Sequence, residues 1–406
     1  MEPNAPTTLD GLPLARRCPL DPPEELTRER ERRPISPMTY PDGHQGWLVT
    51  GNAAARALLA DQRFSVRAEL QHAPIPIEVP ASMRERSVPP GLFTRMDDPE
   101  HARYRRQLTG QFTVRRIKAM EPMIERIADD LLDAMERDTL DRNFADLVAD
   151  FALPLPSLVI CELLGVADAD RAGFNDDSKL LLALNTPSER RMQAWGSLSG
   201  LLARLVRDKR ETPRDDLLSG LIAEGDLTDE ELVTIGTVLL VAGHETTANQ
   251  IGLGVYALLQ NPEQLARLKA DESIAAQAVE EMLRYLSIIH IGPTRTATED
   301  VELAGQLIRK GQSVTVSVPV ANRDPQRFGD AERMDLTRSA TGHLAFGHGV
   351  HQCLGQQLAR SELRIAFTTL FRRFPSLRLA VPADEVPMRS DMGIYGVHEL
   401  PVTWDR

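Results

Sequence analysis

The chain has 406 residues, 42% of them apolar and 26% charged, which is the balance of a folded globular protein and not of a disordered one. Its formal net charge of −12 argues against a nucleic-acid scaffold, since phosphate binding wants a basic surface. Three cysteines, Cys18, Cys161 and Cys353, cannot all pair and lie far apart, so no disulfide framework is expected and a reducing compartment is the natural setting.

The first residues hold no apolar core behind a basic flank, so no signal peptide is expected. No apolar run reaches the length of a membrane span, and the reading is a soluble cytoplasmic protein. Residues 1–37, rich in Pro and Arg, are expected to wrap the surface as an irregular arm. The segment 46–50 reads as a strand and Asn52 to Leu59 as a helix. Arg67 to Gly91 is proline-rich without helical period, which marks a long functional loop. Ile117, Met120, Ile124, Ile127, Leu131 and Met135 recur at steps of three and four, the buried face of one helix, with Pro122 as its expected break. Beyond the apolar stretch Phe151 to Leu164, helices fit 169–184 and 188–210. Thr228 and Glu231 form a capping box that opens the longest helix, running to about Gln260 and roughly 50 Å in length. A shorter helix fits 273–286. Val301–Leu307 and Ser313–Val318 read as strands with a turn at Gly311, a last helix spans about 354–373, and the tail returns to short strands. No repeat and no interior linker is visible. The expectation is one large domain over 1–406, mainly α with a minor β region.

Two segments carry chemistry. Cys353 lies in Phe346-Gly-His-Gly349-Val-His351-Gln-Cys353-Leu-Gly355, just before the last helix. A thiolate there is stabilised by the positive end of the helix dipole and by free N–H groups. Gly349 and Gly355 remove Cβ atoms where a flat, bulky group would approach, and Phe346 is placed to cover the sulfur. An inert buried cysteine in a glycine-rich turn is the plainer alternative. The long helix carries Ala242-Gly-His244-Glu245-Thr246-Thr247. A zinc-protease His-Glu-x-x-His reading fails because position 248 is Ala248. Ala242 and Thr246 share a helix face, where a small residue and a hydroxyl leave a gap next to the acid of Glu245. The alternative is a threonine bonded back to a helix carbonyl.

Phe-x-x-Gly-x-x-x-Cys-x-Gly resembles the haem-thiolate loop of the cytochrome P450 monooxygenases at every defining position, and Glu245-Thr246 is similar to their acid–alcohol pair. The tail Tyr395-Gly-Val-His-Glu-Leu-Pro-Val402 resembles the actinobacterial biosynthetic and xenobiotic-oxidising group. The resemblance implies the P450 fold, haem b with Cys353 as axial ligand, and Thr246 and Glu245 as the proton relay. It further implies His101, Arg105, Arg295 and His351 at the haem propionates. It also implies a structural network of Glu281 and Arg284 with Arg333 as third member, though Glu281 and Arg284 alone are a common helix-surface pair. By the same analogy the substrate pocket takes Leu92, Val238, Leu239, Ile288, Ile289, Ile291 and Ile394, and His72 is either a loop histidine or a distal iron ligand.

The implied activity is reductive activation of dioxygen and its insertion into an apolar substrate such as a macrolide, polyketide, terpenoid or sterol-like compound. No flavin, iron–sulfur or nucleotide motif occurs, so electrons must come from outside. The resemblance implies a ferredoxin and its reductase, for which Arg103, Arg106, Arg115 and Arg116 are either a basic docking patch or plain solubility charges, on a protein expected to be monomeric. A peroxide-driven peroxygenase and a non-catalytic haem sensor are the rivals, and the intact acid–alcohol pair speaks against the sensor.

Overall fold

The computed structural model describes residues 8–77, 88–139, 144–167 and 174–405. The middle of the 67–91 loop, the start of the expected 169–184 helix and the first residues of the arm lie outside them. The longer helices among the described residues are α1 (Glu24–Arg32), α2 (Asn52–Ala60), α3 (Glu100–Thr109), α4 (Val114–Asp138), α5 (Pro154–Leu164), α6 (Phe174–Leu182), α7 (Ser188–Glu211), α8 (Leu217–Glu224), α9 (Asp229–Leu259), α10 (Pro262–Ala270), α11 (Ala275–Leu286) and α12 (Gln356–Arg373).

Helix α9 is the axis of the core. Its start is fixed by the expected capping box: Glu231 N–H donates to Thr228 Oγ1 at 3.3 Å, and Thr228 N–H donates to Glu231 at 2.8 Å. Asp229, Glu230 and Glu231 in its first turn complement the helix dipole. From Leu232 onward buried residues occur on nearly every side, the signature of a helix inside a large core. Helices α5, α7 and α12 pack around it. Helix α4 packs along α12 and buries Ile117, Ile124, Ala128, Leu132 and Met135, so the buried stripe drifts slightly from the one expected.

Pro122 does not break α4. It lies on the exposed side of the helix, where the carbonyl one turn back is free to bond water, while the buried stripe holds the two halves in line.

Among the described residues the β region holds a mixed six-stranded sheet in the order β1-β2-β3-β9-β6-β4, built from Leu9–Asp10, Ile35–Thr39, Gln45–Val49, Ser313–Val316, Thr294–Ala297 and Phe64–Ser65, and a three-stranded sheet of β10 (Arg378–Leu379), β11 (Pro401–Thr403) and β5 (Ala145–Asp146). Strand β3 pairs parallel with β9, placing Trp47 opposite Val314, and β6 pairs antiparallel with β9, placing Arg295 opposite the same residue. The expected strand 301–307 is instead a hairpin of β7 (Val301–Leu303) and β8 (Gln306–Ile308), turning at Ala304 and Gly305, both at positive φ. The arm is not irregular either. It contributes β1 and α1, and Arg30 of α1 donates to the carbonyls of Val320 and Arg323.

Glu231 also joins α9 to α3, accepting from Arg103 at 2.5 Å and Tyr104 at 2.7 Å. Burial opposes its ionisation, but the Arg103, Thr228 and Tyr104 donors outweigh that and hold its carboxyl at about 2. A carboxyl depressed in the folded state contributes stability above its ordinary value of 4.5 and loses it as pH falls toward 2. Glu231→Gln is therefore expected to lower unfolding stability at neutral pH by about 1 kcal/mol, and to flatten its acid dependence over that window in urea titrations.

Candidate active site

The loop before α12 is shaped by its backbone. Cys353 N–H donates to Phe346 O at 2.9 Å, Gln352 N–H to Gly349 O at 3.0 Å, and Gly347 N–H to Leu344 O at 2.9 Å. Gly349 has φ +76°, and a Cβ on it would lie 2.3 Å from the carbonyl oxygen of Leu59 at the end of α2. Its glycine thus answers to its own backbone and to α2, not to the approach of a flat group as expected. Gly355 faces open space where a Cβ would point and does leave room.

The Cys353 sulfur receives the Gly355 N–H. Burial pushes the thiol up, while that donor, Arg105 and Arg360 pull it down. Although protein surrounds it, Cys353 is solvent-accessible, so it borders a crevice. The Phe346 ring lies under the Arg360 guanidinium at 4.5 Å, and Arg360 bonds Glu280 at 2.6 Å, which meets His343 at 3.1 Å. Burial works against Glu280, yet His343 and Arg360 hold its carboxyl at about 2. This brace was not foreseen from the sequence. Its legible trace is Arg360, one turn into the helix after the cysteine.

On α9, Val238, Ala242 and Thr246 are accessible at steps of four while His244, Glu245 and Thr247 beside them are buried. A stripe of small and polar groups open on one face of a buried helix means a cavity on that side. Thr246 Oγ1 donates to Ala242 O at 2.9 Å, the back-bonded arrangement. The Glu245 carboxylate accepts from Arg389 at 2.9 Å and from Asn249 at 3.2 Å. Among the described residues no hydrogen bond joins it to the Thr246 hydroxyl.

His101, Arg105, Arg295 and His351 lie near one another. The His101 ring lies 4.1 Å from that of His351, its Nδ1 meets Asp98 at 3.1 Å, and its buried Nε2 has no partner. Arg105 donates to Gln352 O at 2.7 Å, and Arg295 on β6 donates to Thr294 O at 2.9 Å. Burial, together with Arg95, lowers Arg295 to about 10. Burial, together with His101, Arg295 and Arg105, lowers His351 to about 3. Arg95, absent from the expected set, belongs to this group and donates to Gln71 at 2.9 Å. Such crowded cations want anionic partners, and two propionates supply them. The accessible thiol, the open space at Gly355, the unpartnered His101 nitrogen and the cation cluster together fit haem.

Other expectations change. Glu281 and Arg284 form a fully buried pair at 2.7 Å, but the third arginine is Arg338, 3.2 Å from Glu281. Arg333 offers Arg284 only its carbonyl oxygen, and its exposed side chain pairs with Asp330 and Asp335. Leu92, Ile289, Ile291 and Ile394 are partly accessible, with Ile289 and Ile394 bridged in antiparallel register. Leu239 and Ile288, expected on the pocket wall, are 7% and 9% accessible and pack in the main core. His72 bonds Asp42 at 2.7 Å and stacks on His44 at 3.6 Å, the arrangement of a loop histidine. Arg103 is taken up by Glu231, while Arg106 and Arg115 are exposed. Cys161 is core-buried and Cys18 exposed.

Haem-thiolate oxygenases are the class that this cysteine loop and cavity-facing helix define. The cytochrome P450 family model matches residues 157–401. Cytochrome P450-SU2 of Streptomyces griseolus is 50% identical over 387 residues, covering 95% of this chain and 94% of that one. Pentalenic acid synthase of Streptomyces avermitilis is 48% identical over 399 residues, covering 97% of each. The crystal structure of CYP105P1 in complex with filipin I matches with a TM-score of 0.90 and 44% identity, over 98% of this chain and 99% of that one. The chain belongs to the cytochrome P450 family, as a monooxygenase whose haem takes Cys353 as its thiolate ligand. Among the described residues no helix is long and apolar enough to cross a membrane.

The cation cluster makes a two-sided prediction. Arg295→Met should stabilise the haem-free protein by an amount on the order of 1 kcal/mol, because it removes a desolvated, repelled charge. The same variant should release haem to apomyoglobin about tenfold faster.

Proposed function

We infer that the protein hydroxylates or epoxidises a medium-to-large, mostly apolar molecule of the macrolide, polyketide, terpenoid or sterol-like kind, in the cytoplasm, with electrons from a ferredoxin and its reductase. The observation that carries this reading is the accessible stripe Val238–Ala242–Thr246 on a helix whose His244, Glu245 and Thr247 are buried beside it. It describes a cavity walled by alkyl groups with one hydroxyl, where an apolar substrate would lie beside a proton-bearing group. Ile289, Ile291 and Ile394 extend the apolar wall. Pentalenic acid synthase and the filipin I complex among the similar proteins support a natural product as substrate.

Haem, when bound, supplies the activation of dioxygen. The chain's own residues do the rest. Cys353 would hold the iron, with the Gly355 N–H on its sulfur, and Arg95, Arg105 and Arg295 would neutralise the propionates beside the His101 and His351 rings. Thr246 Oγ1, bonded back to Ala242 O at rest, stands on the accessible face and would hand on a proton once it leaves that carbonyl, with Glu245 as the acid behind it. The alkyl walls orient the substrate and exclude stray water. For the electron donor, exposed Arg106 and Arg115 next to exposed Val114 offer a basic, partly apolar patch on an acidic protein.

A carbon monoxide difference spectrum of the reduced protein tests the core of this reading, and an unshifted Soret band in folded, haem-loaded protein would sink it. Cys353→Ala should abolish the thiolate signature. Thr246→Ala should retain haem but divert about tenfold more reducing equivalents to peroxide with a surrogate ferredoxin system. Product formed from peroxide alone, at the reductase-driven rate, would favour the peroxygenase. A library of terpenoid and macrolide compounds, screened for the low- to high-spin shift, reads the substrate class.

A further inference from the structure

We propose that Arg389 is a positioning residue that holds Glu245 away from Thr246 until a ligand presses on the 388–397 turn, so that occupancy of the cavity times proton delivery. This rests on the monooxygenase reading of the same site.

Glu245 and Arg389 are almost completely buried, with side chains 3% and 7% accessible and 2.9 Å apart. Asn249 donates to the same carboxylate oxygen, so that oxygen has two donors. With two donors on one oxygen the carboxylate is committed to Arg389 and Asn249, and breaking such a pair leaves an unpaired buried charge. The Arg389 Nε is itself buried and without a partner, so the guanidinium is not fully committed where it sits.

The turn that carries Arg389 also carries the partly accessible Ile394, assigned above to the cavity wall. Arg389 N–H donates to Gly396 O at 3.0 Å and Met388 bridges Val397, closing the two arms of the turn on each other. Between them Ile394 bridges Ile289 on the wall, and Met392 bridges Ala183 after α6. At its far arm Gly396 packs directly on Asn249, where a Cβ would fall 2.2 Å from the amide oxygen. Displacement of Ile394 is thus passed to both donors of Glu245 through backbone contacts.

The proton balance is simple. When Arg389 withdraws, Glu245 takes one proton from water. It passes that proton to the Thr246 oxygen as Thr246 gives its own to the cavity side, and reclosure of the ion pair follows. Only O–H bonds form and break.

The test uses haem-loaded protein without substrate, a surrogate ferredoxin, its reductase and NADPH. Arg389→Met, with a normal reduced carbon monoxide spectrum, is expected to raise substrate-free NADPH consumption and peroxide release about tenfold. It should also show a carboxylic-acid carbonyl band in the infrared that the Arg389→Met/Glu245→Gln double variant lacks. Arg389→Lys should restore most of the wild-type behaviour. Ile394→Trp, which presses on the turn as a ligand would, should raise the same consumption, with no further increase when combined with Arg389→Met. Wild-type consumption and no new infrared band in Arg389→Met would overturn the proposal, as would additive effects of the two substitutions. Loss of the thiolate spectrum in the wild-type protein would instead overturn the monooxygenase reading, so the two failures are distinguishable.

Discussion

A helix of 31 residues buried around most of its circumference has to satisfy two opposite demands at its middle. Its backbone and most of its side chains must be packed as core, because α5, α7 and α12 press on it. One face must stay open, because the chemistry happens there. The sequence meets both by placing small and short groups in one row, Val238, Ala242 and Thr246, and by turning His244, Glu245 and Thr247 inward. The rest of the architecture follows from that division. The sheet brings Arg295 beside His351, the loop before α12 brings the thiol, and the C-terminal turn bridges Ile289 through Ile394.

The electrostatics are divided in the same way. Inside the scaffold, charges are matched: Glu281 with Arg284 and Arg338, Glu280 with Arg360 and His343, Glu245 with Arg389. Around the crevice they are deliberately unmatched, with Arg95, Arg105 and Arg295 gathered beside two histidines. Buried pairs of the first kind contribute little net stability but fix one geometry, and breaking either half is costly. The unmatched group is destabilising until its anionic partner arrives. A protein built this way is completed by its cofactor, and part of the cofactor's binding energy goes into relieving that repulsion.

Features carried by short, local spacing were legible in the sequence. The Thr228–Glu231 cap, the Cys353 loop and the His101–Arg105 pair all lie within one or two turns of chain, so their geometry follows from residue number alone. Partners contributed from far away were not. Arg338 rather than Arg333 completes the Glu281 network because the loop after the short turns folds back, and two arginines five residues apart look equivalent without that fold. Arg389 and Arg95 carry no local signal at all. The reverse error occurred at Pro122, where a strong local signal was overridden because the proline faces water and the opposite stripe is packed. Gly349 stands out in the cysteine loop, but what requires a glycine there lies outside the loop. Its neighbour is the backbone of α2, which no motif reveals.

The sheet has a consequence for how the molecule is made. Strand β3, near the start of the chain, finds its parallel partner in β9, more than 260 residues later: Trp47 waits for Val314. During synthesis the early strands present an open edge until β9 has been made. The thiol arrives later still. A nascent chain therefore has no haem ligand while its N-terminal half is already exposed, so cofactor capture is necessarily among the last events of folding. Expression yield should then be governed by chaperoning of the early edge, and haem supply should matter only at the end.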